Sequence, residues 1–140
     1  MTKEWNKETP LRWKRRKDVE QLVFTVANWC MHHLPSNEKL PKVWVDWKRQ
    51  NRCYGEYDYT DNEIIVYPLI HEKVKDIIDT TIHEWVHFLQ DTDEIIDSIK
   101  RYKHYKDANP KELEAIKMAK KNTKKCLKDI YRDGRIHFIS

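Results

Sequence analysis

The chain has 140 residues, 36% of them charged, and a formal net charge of +4. That length fits one domain, residues 1–140, and its 6 tryptophans and 7 tyrosines supply enough bulky apolar surface to argue against disorder. No run of about 18 apolar residues marks a membrane span. The charged N-terminus lacks the apolar core of a signal peptide, and Cys30, Cys53 and Cys126 are odd in number and far apart, so a cytoplasmic protein with reduced thiols is expected.

Residues 1–17 form a basic lead-in with Trp5 and Trp13 among charges. Such a stretch suits contact with nucleic acid, but a solvated segment whose tryptophans pack on the domain is the favoured reading. A helix is expected from Asp18, read as its N-cap, with Val19, Leu22, Val23, Val26, Cys30 and Leu34 at helical spacing. Pro35 stops it. His32 and His33 close its last turn, where protonated imidazoles suit the helix dipole.

Pro41 opens a strand region. Residues 43–47 and 53–59 alternate loosely, residues 60–63 carry turn chemistry, and residues 64–67 are a short apolar strand ended by Pro68. Hairpin-length connections predict a small, mostly antiparallel three-stranded sheet.

The next helix is predicted from His71 or Glu72 to Gln90. Val74, Ile77, Ile78, Ile82, Trp85, Phe88 and Leu89 fall in one arc of it, and Thr80, His83, Glu84 and His87 share the other. After residues 91–94, Ile95, Ile99 and Tyr102 mark a further helical stripe. Asn109 then caps, and Pro110 opens, a long helix whose apolar stripe is read as Leu113, Ile116, Thr123, Leu127 and Ile130. Its other side carries Lys117, Lys120, Lys121, Lys124, Lys125 and Lys128. A lysine face this dense is usually solvated, and it also suits weak contact with phosphates. The tail, residues 131–140, is read as adding a strand. The sum is an α+β chain: an N-terminal helix, a small sheet, a central helix and C-terminal helices.

His83, Glu84 and His87 spell H-E-x-x-H on the central helix. Two histidines four residues apart project from one side and can grip one zinc ion at about 2.0–2.1 Å. Glu84, about 100° round from His83, is placed to reach a water on that metal as a general base. The bland alternative is two histidines and a carboxylate on a solvated helix face. A catalytic zinc wants a third protein ligand. The sequence offers Glu112 or Glu114 on the long helix, Asp93, and the distant His104; His71 lies too far along the same helix.

H-E-W-V-H at residues 83–87, followed by Asn109-Pro-Lys-Glu-Leu-Glu-Ala at residues 109–115, resembles the zincin metallopeptidases of the gluzincin type. The layout is also similar to the smallest of these, the minigluzincins, and to short phage and bacterial H-E-x-x-H proteins of unassigned role. The resemblance implies a minimal zincin-like fold, and a hydrolase that cleaves peptide bonds with zinc as cofactor and a peptide or protein as partner. It also implies a third ligand in an E-x-x-A setting, which Glu112 matches, with Glu114 as fallback. An acidic or amide residue four positions after that glutamate often supports a zinc histidine in the family; here that position is Ile116. The metzincin pattern instead lacks its glycine here, with Gln90 and Asp93 at its later positions. A SprT-like protease acting on nucleic-acid-bound proteins would need a third histidine, for which His104 is the candidate.

In the mechanism this implies, Glu84 takes a proton from the attacking water and passes it to the leaving amine. Tyr102 and Tyr105 are candidate oxyanion donors, Asp79 or Thr80 a brace for the motif helix, and residues 64–67 the strand that pairs with an extended substrate. A latent zincin, or a nucleic-acid or protein binding module with an accidental motif, is the alternative from another class.

Overall fold

Among the described residues, four α-helices and two small sheets are laid down in the order β1 (Thr2–Glu4), α1 (Arg16–His33), β2 (Lys42–Val45), β3 (Gly55–Asp58), β4 (Glu63–Val66), α2 (Val74–Leu89), α3 (Thr92–Arg101), α4 (Pro110–Arg132) and β5 (His137–Ile139). These come from a computed structural model that describes residues 2–4, 15–48, 53–70, 73–103, 109–132 and 137–139. Trp5, Trp13, His71, His104 and Tyr105 lie outside the described residues. The α+β class expected from the sequence is what forms. No described helix is long and apolar enough to cross a membrane.

The core is one cluster to which α1, β4, α2 and α4 all contribute. Helix α1 supplies Leu22, Val23, Val26 and Trp29, and α2 supplies Ile77, Ile78, Ile82 and Trp85. Each such side chain, fully withdrawn from water, contributes roughly 1.5–3 kcal/mol. Buried tryptophan N–H groups need acceptors, and they tie helices together. Trp29 Nε1 donates to Asp129 Oδ2 of α4 at 2.9 Å, and Trp85 Nε1 donates to the Leu34 carbonyl after α1 at 2.9 Å.

Helix α1 begins earlier than its apolar spacing suggested. Asp18 is therefore in the first turn rather than at the cap, where Arg15 Nε donates to it at 2.9 Å. At the other end His32 Nδ1 donates to the Asn28 carbonyl, while His33 stacks on Trp29 with ring centroids 4.4 Å apart.

The three-stranded sheet has the order β2-β4-β3, with β2 parallel and β3 antiparallel to β4. It is thus mixed rather than mostly antiparallel. Only the β3–β4 connection is a hairpin. It is held by Asn62, whose φ of 53° is tolerated by asparagine and whose carboxamide oxygen accepts from Tyr57 Oη at 2.8 Å. The link from β2 to β3 crosses β4 instead. Ile64, Ile65 and Val66 are all buried, as befits a central strand, and β3 is left as an edge. The tail does add a strand, but β5 pairs antiparallel with β1 in a sheet of their own.

Helix α4 departs from its predicted phase. Of the predicted stripe Ile130 is buried and Leu127 packs on the core, but Leu113 is 50% exposed and Ile116 38%, and Ala115, Ala119 and Cys126 are buried in their place. Hydropathy favours the large residues, but a helix that must approach another closely turns its small ones inward. The two alanines face α2.

Candidate metal centre

Helix α2 lies between α1, the sheet and α4, so its polar arc is surrounded rather than solvated. Asp76 accepts from the Lys73 N–H at 3.0 Å and starts the helix. One turn apart, the His83 and His87 rings stand with centroids 4.9 Å apart and planes at 74°.

Helix α4 brings the third group. Asn109 Oδ1 accepts from the Lys111 N–H at 2.9 Å and from the Glu112 N–H at 3.4 Å, which caps the helix as its sequence predicts. Glu112 precedes Ala115 and Ala119 by three and seven residues, so it shares their face toward α2. Its Oε1 contacts His83 Nε2 directly, and its Oε2 lies 3.3 Å from His87 Nε2. The three donor atoms fall within 4.8 Å of one another. Donors around a tetrahedral zinc, with bonds near 2.05 Å, stand about 3.3 Å apart. Two imidazole nitrogens and a carboxylate oxygen in this array fit a divalent metal ion. Contact with both imidazoles holds the Glu112 carboxyl well below the usual carboxylate range.

His87 has a support that the sequence reading missed. Gln90 Nε2 donates to the Lys111 carbonyl at 3.0 Å and to Glu114 Oε1 at 2.8 Å. Its oxygen is then the atom 2.7 Å from His87 Nδ1, so that nitrogen carries the proton. Nε2, 3.3 Å from Glu112 Oε2, is then the nitrogen that a metal would take in place of a proton. Glu114 belongs to this support and not to the donor group. Gln90 is three residues after His87, on the same helical face, and that spacing was the available signal.

Glu84 is 6% exposed, and no hydrogen bond to its carboxylate is formed among the described residues. Burial pushes its pKa up to about 7, against the pull of His83 and His87. Gly55 of β3 lies against it. A Cβ at Gly55 would stand 2.7 Å from Thr80 Cγ2, 2.9 Å from the Ile65 carbonyl oxygen and 3.4 Å from Glu84 Cγ. The absent side chain lets the edge strand lie directly on α2 beside the motif.

These groups open into a cleft of about 850 Å³. Tyr102, Asp79 and Thr80 all line it, together with Ile95, Ile99 and Ile116. Burial raises the Asp79 carboxyl pKa, an effect His83 partly offsets. Asp93 lines a separate depression at the start of α3 and does not join the histidines. The strand at the cleft is β3, whose Gly55, Glu56 and Tyr57 line it, rather than residues 64–67. Residues 64–66 belong to β4, which is paired on both sides and has no free edge to offer, and Tyr67 follows its end.

No family model, no curated protein and no solved structure matches the chain.

Proposed function

We propose that this chain is a zinc-dependent metallopeptidase, with His83, His87 and Glu112 as ligands and Glu84 as general base. The observation that supports the reading is the meeting of three metal donors with a buried carboxyl that has no hydrogen-bonding partner among the described residues. Two histidines and a carboxylate also serve iron oxygenases. A buried acid beside the donors is what hydrolysis needs and oxygen chemistry does not, so zinc is the better assignment.

A bound zinc ion would supply Lewis-acid polarisation of the scissile carbonyl and acidify a water. Glu84 accepts a proton from the attacking water and delivers it to the leaving amine nitrogen as the peptide bond breaks. Burial raises the Glu84 carboxyl pKa in the metal-free chain, and the positive charge of a bound ion would favour the carboxylate that accepts the proton. Gln90 holds the His87 tautomer. Among the described residues β3 is an edge of the sheet, and its backbone groups suit an extended polypeptide across the cleft. Tyr102, on the cleft wall, is the described candidate for an oxyanion donor.

The test is Glu84→Gln, assayed for zinc content and for cleavage of a denatured protein. The variant is expected to keep its metal and to lose roughly 10²–10⁴-fold in rate. A wild-type chain that carries zinc and cleaves nothing would contradict the reading.

A further inference from the structure

Six of the seven lysines of α4 lie on the face that its packing turns outward. Lys117, Lys120, Lys121, Lys124, Lys125 and Lys128 are all exposed. None of them forms an ion pair among the described residues, although Lys120 is near enough to Asp79 to lower its carboxyl pKa. Between Lys117 and Lys128 the helix carries no acidic residue. At 100° per residue, Lys117, Lys121, Lys124 and Lys128 fall within an arc of about 60°, and Lys120 and Lys125 flank them. Ala115, Ala119, Cys126 and Ile130, the buried residues, are centred on the opposite side. The row rises about 16 Å along the helix axis.

Holding so many like charges in one rigid row carries a repulsive cost, which an anionic partner would relieve. The anion must be extended and repeat its charge, because the row is long, narrow and straight. A duplex presents a phosphate about every 3.4 Å along each strand, so the row spans about five of them. An anionic membrane fits less well. A helix that lies on lipid offers an apolar face to the acyl chains, and the apolar face of α4 is committed to the core. We infer that the outer face of α4 is a binding surface for the phosphodiester backbone of a nucleic-acid duplex. The inference stands on the lysine row and does not depend on the metal centre.

The experiment measures binding of the full chain to a short DNA duplex of arbitrary sequence across a salt series. If four phosphates are neutralised, affinity falls roughly 10²-fold between about 50 and 200 mM salt. In a triple variant, Lys121→Gln, Lys124→Gln and Lys128→Gln, the slope of log affinity against log salt is expected to shrink by about three. Affinity is expected to fall at least about tenfold. A control triple, Lys39→Gln, Lys48→Gln and Lys100→Gln, removes the same charge from exposed lysines elsewhere and should change binding little. Circular dichroism on both variants confirms the fold. Equal losses in the two triples would show an effect of net charge alone and overturn the inference. So would absence of duplex binding at low salt, or equally tight binding to polyglutamate or to phosphatidylserine vesicles.

Discussion

Gln90 Oε1 lies 2.7 Å from His87 Nδ1, and the same carboxamide reaches α4 through the Lys111 carbonyl at 3.0 Å and Glu114 Oε1 at 2.8 Å. One side chain thereby orients a metal-facing imidazole and joins the helix that carries it to the helix that carries Glu112. Removing it in Gln90→Ala is expected to weaken metal affinity roughly 10–100-fold, the usual effect of deleting the partner of a ligating histidine. Competition against a chromophoric chelator measures it. Gln90→Glu should recover only part of the loss, because it keeps an acceptor for Nδ1–H but sets a carboxylate against Glu114. Unchanged affinity in Gln90→Ala would mean that α2 and α4 alone fix the ring.

Gly55 makes a prediction about the edge strand. A methyl group there meets Thr80 Cγ2 at 2.7 Å and the Ile65 carbonyl oxygen at 2.9 Å, and the second of these is backbone that cannot swing aside. Gly55→Ala is expected to destabilise the fold by about 1–3 kcal/mol, the range for overpacking a close contact. It should also lower peptide cleavage, since β3 would be pushed off α2 beside Glu84. Denaturant unfolding gives the first quantity and turnover the second. Wild-type stability in the variant would show that the strand has room to move.

Alkaline pH should weaken the fold through Cys30. Burial, with a contribution from Cys126, raises this thiol well above its ordinary value of 9.0. The folded chain therefore keeps the proton that the unfolded chain gives up first. Stability is fully present below about pH 9 and is lost as pH rises beyond it. Tyr57, raised chiefly by burial, acts in the same direction above pH 10. Unfolding midpoints in urea between pH 7 and pH 10.5 report the trend, and Cys30→Ala should flatten it. A midpoint that stays level past pH 9 would contradict the burial of the thiol.

The motif helix was the most legible part of the sequence, because H-E-x-x-H and the apolar arc of Ile78, Ile82 and Trp85 carry the same periodicity. The cap at Asn109 and Pro110 was equally readable from local backbone chemistry. What the periodicity misjudged was decided by partners distant in sequence. The inward face of α4 is chosen by the close approach of Ala115 and Ala119 to α2, and a hydropathy stripe built on Leu113 and Ile116 does not register it. The parallel pairing of β2 with β4 depends on a connection that crosses a strand, and hairpin-length spacing cannot reveal such a crossing. Gly55 did leave a trace, as one of only 2 glycines in the chain and one placed inside a strand.

The central claim concerns which side chains hold the metal, and zinc affinity across single substitutions tests it most directly. Wild-type protein should bind one zinc ion per chain. His83→Ala and His87→Ala should abolish tight binding, Glu112→Ala should weaken it by several orders of magnitude, and Glu114→Ala should cost no more than the loss of Gln90. Wild-type affinity in Glu112→Ala, or purified chain that binds no zinc at all, would contradict the account.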